Sequence, residues 1–134
     1  MSTVAEVERL AASTYIALTT YRRDGTPVTT PVWVSREGDR LYVWTQGDSG
    51  KVTRIRNDAH VQVAPSDHRG AAQGAPVEAT ARVLDAPTDL AHVESLHRAK
   101  YGLQFRLFDV GAKVFRRNRP LCGVEITLTT PEGT

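Results

Sequence analysis

The sequence predicts a mainly β protein with short α insertions, arranged as a small antiparallel barrel of six strands. Six segments combine alternating polarity with β-branched and aromatic residues, which is typical of half-buried strands. Turn residues join most neighbouring segments into hairpins, and the helices between them are short, which favours an antiparallel barrel over a parallel α/β sheet. With 134 residues and no visible repeat or linker, residues 1–134 are expected to form a single domain.

The strands are placed by their turns and by one proline. Asp24-Gly25 lies between two β-rich runs and is a strong hairpin signal, and Gly38 lies in the next polar turn. Pro31 has no N–H to donate, so its strand must be an edge, bulged or locally unpaired at that point. The predicted strands are residues 14–21, 26–35, 41–45, 59–65, 76–84 and 121–130.

Three helices are predicted from apolar residues at helical spacing. Thr88 and Asp89 are expected to cap the third helix, and Gly102 is expected to end it. Residues 104–117 are ambiguous, because their apolar residues recur at near-helical spacing without clear ends. The predicted helices are residues 4–12, a short helix capped by Asp48 or Ser49, and residues 88–101.

The corner between the third strand and the second helix has the features of an anion-binding site. The first N–H groups of a helix are unpaired and its dipole favours negative charge, while Gly50 lets a ligand approach the backbone. Cations follow within two turns, at Lys51, Arg54 and Arg56. From spacing alone, a solvated basic helix face stays an open alternative, and Asp48, if it caps the helix in place of Ser49, would compete for the same N–H groups.

Composition and charge exclude several classes of function. Seventeen Lys+Arg against fifteen Asp+Glu give a formal net charge of +2, too small a surplus to indicate nucleic-acid binding. The sequence lacks a signal-peptide pattern and a membrane-spanning apolar run, so a cytoplasmic location is expected. The single cysteine, Cys122, is expected to be buried and inert. The four histidines are expected at the surface without metal-ligand spacing, so no metal site is predicted.

Four runs of sequence, in this order, resemble one known family. They are LTTYRRDGTPVTTPVW at 18–33, YVWT at 42–45, SGKVTRIR at 49–56 and VQVAP at 61–65. The combination is similar to the pyridoxamine-phosphate-oxidase-like split-barrel proteins. More narrowly, it resembles the actinobacterial branch of deazaflavin (coenzyme F-420)-dependent oxidoreductases. The resemblance covers residues 8–85 well and the last strand loosely.

The resemblance implies a six-stranded split β-barrel that works as a homodimer, with two cofactor sites along the subunit interface. The cofactor phosphate would be held at the start of the helix that follows the third strand. The second strand would run beside the tricyclic ring, and the end of the third strand would lie nearest the phosphate and the ribityl chain. The implied cofactor-binding residues are Thr30, Pro31, Val32, Trp33, Thr45, Ser49, Gly50, Lys51 and Arg54.

The function implied by the resemblance is hydride transfer between reduced coenzyme F-420 and a small, conjugated organic substrate. FMN is the alternative cofactor. Lys51 and Arg54 would anchor the phosphate, and Arg56 or the basic tract 113–119 would meet the acidic glutamate tail. Trp33 would either form an apolar wall for the ring or pack in the core or the dimer interface. The sequence selects no catalytic residue; the candidate proton donors are Tyr21, Tyr42 and Tyr101.

A second functional class stays open. A non-catalytic carrier or sensor of FMN, haem or the deazaflavin would need the same anchor for its bound ring. Oxidation of pyridoxamine phosphate is not expected, because the resemblance implies for that enzyme a longer chain with an Arg- and His-containing substrate segment, and this sequence stops at Thr134.

Overall fold

The computed structural model describes residues 3–46, 49–102 and 121–129. All six predicted strands are present, with ends that differ from the predicted ones by no more than two residues. The ambiguous segment 104–117 and the basic tract 113–119 lie outside the described residues. In chain order the elements are α1 (Thr3–Ala11), β1 (Tyr15–Tyr21), β2 (Pro27–Glu37), β3 (Arg40–Gln46), α2 (Gly50–Asn57), β4 (His60–Ser66), β5 (Val77–Leu84), α3 (Pro87–Tyr101) and β6 (Leu121–Leu128).

The six strands close into one antiparallel barrel in the order β1-β2-β3-β6-β5-β4, which confirms the predicted fold class. Three hairpins, β1–β2, β2–β3 and β4–β5, join strands that are neighbours in sequence. β6 then lies between β3 and β5, and β1 pairs with β4, which closes the circle.

Alternate residues of each strand fill the interior of the barrel, as the period-two pattern predicts. Leu10 of α1 and Ile55 of α2 add to this core from the barrel ends. Burying a side chain of this size stabilises the fold by about 1.5–3 kcal/mol relative to leaving it exposed. The strand residues of the core include Ile16, Leu18, Val32, Val34, Leu41, Val43, Val61, Val63, Ala79, Ala81, Val124 and Ile126.

Strand β2 changes its partner partway along its length. Its residues 27–33 pair with β1, whereas Val34 to Glu37 pair with β3. β3 continues to Gln46, three residues beyond Val43, the last residue that pairs with β2. Residues 27–33 of β2 and 44–46 of β3 therefore border a gap in the β2–β3 pairing, which we call the split. Pro31 lies on the split, so its strand lacks a β3 partner there, as its missing N–H predicted.

The C-terminal end of α3 is inserted where β2 leaves β1. The Tyr101 hydroxyl accepts a hydrogen bond from the Val34 N–H at 2.8 Å and lies 2.7 Å from the Thr14 carbonyl oxygen. Lys100 Nζ donates to three carbonyl oxygens, those of Ala11, Ser13 and Val34, at 2.8, 2.9 and 2.7 Å. These side chains provide partners for backbone groups at the end of α1, before β1 and in β2. We call Lys100, Tyr101 and their backbone partners the α3 clamp.

The beginning of α3 differs from the prediction. The helix begins at Pro87, with Ala86 as its N-cap and without a side-chain capping hydrogen bond, so the predicted cap at Thr88 and Asp89 is wrong. A proline is well suited to the first helical position because its fixed φ is helical and its missing N–H has no partner there in any helix.

The buried face of α3 is partly polar. It consists of Val93, His97 and Tyr101, spaced four residues apart. The prediction that all four histidines lie at the surface is wrong for His97, whose exposed fraction is 0%. Its Nδ1 lies 3.1 Å from the Val93 carbonyl oxygen, and burial lowers the pKa of the ring to about 4. The helix ends at Gly102, with φ +55°, as predicted.

Candidate cofactor-binding site

Helix α2 brings its cations to one end of the barrel. Val52 and Ile55 are buried, and Ile55 belongs to the barrel core. Lys51 and Arg54 each precede one of these residues, so helical geometry places them beside the buried face and next to the strand ends. The N-cap is Ser49, one of the two predicted caps, and its side chain makes no capping hydrogen bond.

Each of these two cations donates to a hydroxyl on a strand that neighbours β2. Lys51 Nζ donates to Thr45 Oγ1 of β3 at 3.2 Å. Arg54 Nε donates to Thr20 Oγ1 of β1 at 2.6 Å. Within residues 3–46, 49–102 and 121–129, neither cation forms an ion pair with a carboxylate. A hydroxyl oxygen accepts a hydrogen bond but carries no negative charge, so the positive charge of each cation is left without a counter-charge.

The electrostatics of this corner favour an added anion. Burial lowers the pKa of Lys51, and the nearby charge of Arg54 lowers it further. Burial also lowers the pKa of Arg54, with the charge of Arg22 as the next cause. Both shifts have the sign of a cation that has lost water and lacks an anionic partner, and a bound anion would oppose them.

The start of α2 has room and a spare polar atom. Ser49 Oγ is buried and has no hydrogen-bond partner in the described part of the chain. A Cβ atom at Gly50 would lie 2.8 Å from Nη1 of Arg54, so only glycine lets the guanidinium lie this close to the helix start. The first turn of α2 contains no acidic residue, and Asp48 lies outside the described residues. This grouping of unpaired N–H groups, a hydroxyl and two cations is suited to a phosphate. We call Ser49, Gly50, Lys51 and Arg54 the α2 corner.

The predicted ring-contacting residues lie along the split. Val32 faces the barrel core, and Thr30 Oγ1 is buried without a hydrogen-bond partner among the described residues. Thr45 lies on the opposite border of the split, on β3, two residues past Val43. The structure therefore brings Thr45 to the α2 corner through Lys51. Thr30–Trp33 lie on the β2 border of the split, where β2 has no β3 partner.

The two tryptophans both pack within the chain. Trp33 stacks on Tyr101, with ring centroids 4.4 Å apart and an interplanar angle of 12°. Trp44 packs against a second cluster on the outside of the barrel, formed by Tyr42, Leu84 and Val93. The stacking partner of Trp33 is therefore a residue of the α3 clamp, and the role of Trp33 as a wall for the ring stays a prediction.

Two of the three candidate proton donors have hydroxyls engaged within the chain. The Tyr42 hydroxyl donates to Glu125 Oε2 at 3.2 Å, and the Tyr101 hydroxyl belongs to the α3 clamp. Tyr21 is the third, and its ring stacks on His60 with centroids 5.1 Å apart. Arg56, expected to meet an acidic cofactor tail, is exposed and lies 3.5 Å from an Asp85 carboxylate oxygen.

Two residues near the α2 corner complete its description. Cys122 lies opposite Thr45 in the β3–β6 ladder, is buried as predicted, and has a pKa raised by burial, which keeps the thiol protonated and unreactive. Thr20 was not among the predicted site residues. It is one of several threonines in two adjacent strands, and nothing in that pattern distinguishes the one that contacts Arg54.

No group of three or more His, Cys, Asp or Glu side chains within residues 3–46, 49–102 and 121–129 is arranged to hold a metal ion. No helix in these ranges is long and apolar enough to cross a membrane.

This architecture is that of the split β-barrel proteins. Six antiparallel strands close into a barrel, the second strand changes partner, and a helix begins beside the resulting split. The profile of the pyridoxamine 5'-phosphate oxidase family matches residues 3–130. The chain therefore belongs to the pyridoxamine 5'-phosphate oxidase family. No curated protein matches the chain.

Solved structures share this fold at low sequence identity. A conserved hypothetical protein from Mycobacterium tuberculosis, Rv2991, is 19% identical with a TM-score of 0.69, over 97% of this chain and 82% of the other. HutZ, the heme storage protein from Vibrio cholerae, is 10% identical with a TM-score of 0.68, over 97% and 92%. A structure named F420 reductase is 17% identical with a TM-score of 0.59, over 92% of both chains. At these identities the likeness concerns the fold alone.

Proposed function

We propose that this protein binds coenzyme F-420 and transfers a hydride between the reduced deazaflavin and a small, conjugated organic substrate. The observation that carries the cofactor-binding part is the α2 corner. Among the described residues, Lys51 and Arg54 donate only to hydroxyls, and they lie at the start of α2 beside the buried Ser49 hydroxyl, which has no partner there. The choice of F-420 is supported by the sequence resemblance over residues 49–56 and by one structure of the same fold whose name is F420 reductase.

In this proposal the chain binds and orients the cofactor. Lys51, Arg54 and Ser49 hold the phosphate together with the first N–H groups of α2. The ring lies along the split, beside Thr30–Trp33, and Thr45 borders the phosphate end. When bound, the deazaflavin supplies the hydride chemistry. The proposed assembly is a homodimer of single-domain chains in which the second copy completes the ring site.

The anchor is tested by replacing Lys51. Lys51→Ala should weaken F-420 binding by about 1.5–3 kcal/mol, the range for a hydrogen bond to a charged group, or about tenfold to 150-fold in Kd. Fluorescence quenching of F-420 and calorimetry would both measure this change. Arg36→Ala is the matched control, because Arg36 is an exposed cation beside the β2–β3 turn, where its Nε donates to the Gly38 carbonyl. Equal affinities of Lys51→Ala and wild type would remove the α2 corner from the cofactor site.

A second candidate function is non-catalytic binding of FMN or haem. The α2 corner contains no group that distinguishes a phosphate from a carboxylate, and the solved structures with this fold include a heme storage protein. Parallel titrations with F-420, FMN and haemin would rank the three ligands. Arg56→Ala sharpens the comparison, because it should reduce the affinity for F-420, through its acidic tail, and leave the affinity for FMN unchanged.

Turnover separates the enzyme from the carrier. Purified protein would be mixed with reduced F-420 and a panel of quinones, tetrapyrroles and unsaturated lactones, and the oxidation of the coenzyme would be followed by absorbance. Pyridoxamine phosphate, which is an electron donor, would be mixed separately with protein and oxidised F-420 or FMN, and no reduction of the cofactor is expected. Tight F-420 binding without oxidation by any panel member would favour the carrier.

A further inference from the structure

We propose that Thr20 is a positioning residue that fixes the guanidinium of Arg54, so that its two terminal nitrogens form a preorganised fork for an oxyanion with two free oxygens on one centre. This inference rests on the proposed cofactor-binding function of the α2 corner. It adds a residue on β1, outside the predicted site, and a geometric requirement for the group that the corner binds.

The contacts of Arg54 divide its nitrogens into two sets. Its Nε donates to Thr20 Oγ1 at 2.6 Å, whereas neither terminal nitrogen has a hydrogen-bond partner among residues 3–46, 49–102 and 121–129. Nη1 lies so close to Gly50 that a Cβ there would be 2.8 Å away. The guanidinium is therefore held at one edge by a hydroxyl, and its terminal nitrogens lie next to the start of α2.

Thr20 is a rigid point of attachment. Its exposed fraction is 1%, and it lies opposite Val28 in the β1–β2 ladder. The hydroxyl also lies 3.5 Å from the Val28 carbonyl oxygen, toward which it donates. A hydroxyl has one proton and two lone pairs, so a proton directed at Val28 leaves the oxygen to accept from Arg54. The β-branched side chain restricts rotation about χ1 and keeps this oxygen in place.

This attachment determines what Arg54 offers to a ligand. A free arginine side chain samples many rotamers, and ordering it upon binding reduces the affinity. An arginine already held through Nε presents its terminal N–H groups as a fixed planar fork, which matches two oxygens of one phosphate. Lys51 is held by Thr45 in a similar way, but an ammonium is a point charge and sets no planar requirement.

The test compares hydroxyl removal with hydroxyl retention. Thr20→Val keeps the shape and removes the hydroxyl, and it should raise the Kd for F-420 and for FMN about tenfold, because the long side chain of Arg54 must then be ordered upon binding. Thr20→Ser keeps the hydroxyl and should restore affinity to within about threefold of wild type. Thr19→Val is the matched control on the other face of β1, because Thr19 Oγ1 contacts Thr29 Oγ1 at 2.8 Å and not Arg54.

A double-mutant cycle distinguishes positioning from a general effect on the fold. If Thr20 acts through Arg54, Thr20→Val should cause no further loss of affinity in an Arg54→Ala background. The same loss in both backgrounds would overturn the inference. Arg54→Lys keeps the charge, removes the fork and leaves the barrel interior unchanged; it should weaken binding about tenfold. Retained affinity in Arg54→Lys would also overturn it.

The outcomes for the two proposals are separable. A wild-type protein that binds neither F-420 nor FMN would contradict the proposed function, and this inference with it. A protein that loses affinity upon Lys51→Ala but keeps it upon Thr20→Val would contradict the role of Thr20 alone. Melting temperatures of all variants would show whether a loss of affinity reflects a loss of folded protein.

Discussion

The α3 clamp and the α2 corner each attach a helix to the strands with a lysine, but they differ in how many donors of that lysine are used. Lys100 Nζ donates to three carbonyl oxygens, at 2.7, 2.8 and 2.9 Å. Lys51 Nζ has one acceptor in the described part of the chain, Thr45 Oγ1 at 3.2 Å. Since an ammonium carries three N–H groups, the first lysine is saturated and the second has two donors to spare.

The same contrast extends to the neighbouring residues. In the α3 clamp the Tyr101 hydroxyl contacts three backbone atoms, those of Thr14 and Val34, and the Tyr101 ring stacks on Trp33. In the α2 corner, Ser49 Oγ is buried without a partner among the described residues. Saturated polar groups stabilise a fold, whereas unsatisfied ones reduce its stability and persist where a ligand completes them. The clamp is therefore structural, and the corner has the properties of a binding site.

The largest effect is expected from His97, on the buried face of α3. Burial lowers its pKa to about 4 in the folded protein, against an ordinary value of 6.5. As pH falls below 6.5, the unfolded chain takes up the proton first, so stability that is fully present above pH 6.5 is lost as pH falls through 4. A difference of this size corresponds to about 3 kcal/mol.

Urea unfolding at pH 7 and pH 4 would measure this loss. His97→Gln retains hydrogen-bonding atoms but does not titrate, so the variant should lose about 3 kcal/mol less than wild type between these two pH values. His92→Gln is the matched control on the same helix, because His92 is exposed. Identical pH dependence of wild type and His97→Gln would contradict the prediction.

A smaller effect is expected from the hydroxyl of the clamp. Tyr101→Phe keeps the ring and its stacking on Trp33 but leaves the Val34 N–H without a buried acceptor. The expected loss in the free energy of unfolding is about 2 kcal/mol, the cost of an unsatisfied buried donor. Tyr15→Phe, on β1, is the control and should change stability by no more than about 0.5 kcal/mol. A loss for Tyr101→Phe as small as that of the control would show that water replaces the hydroxyl.

The barrel could be predicted from the sequence because its signals are local. Alternating residues and the turns at Gly25 and Gly38, both with positive φ, define the strands within a few residues of their observed ends. The α2 corner is local as well, since Lys51 and Thr45 are only six residues apart. The sequence alone shows a short helix that follows a strand and has cations in its first turns.

The remaining features depend on contacts between distant residues. The change of partner in β2 coincides with Lys100 and Tyr101, which reach Val34 across 66 and 67 residues of sequence. The sequence presented Tyr101 as a candidate proton donor and His97 as a surface residue, because no local pattern reveals which side of α3 faces the barrel. Thr20 was missed for the same reason: its contact with Arg54 spans 34 residues.

The smallest and most direct test exchanges each lysine for methionine, a flexible apolar side chain. Lys100→Met removes three hydrogen bonds, two of which are exposed, and should lower the free energy of unfolding by about 1 kcal/mol because water replaces the donor at the exposed carbonyl oxygens. Lys51→Met removes a partly buried charge that lacks a carboxylate partner among the described residues, and should raise that free energy by about 1 kcal/mol in ligand-free protein.

The two variants should also respond differently to a bound anion. A ligand that binds only the folded state stabilises it by about 2.7 kcal/mol at a concentration of 100 times its Kd. With FMN or F-420 at a fixed concentration, wild type and Lys100→Met should gain stability alike, and Lys51→Met should gain less because its Kd is higher. If both methionine variants were destabilised, and both gained equally from the ligand, Lys51 would be a structural residue like Lys100, and the contrast between the saturated clamp and the unsaturated corner would have no functional meaning.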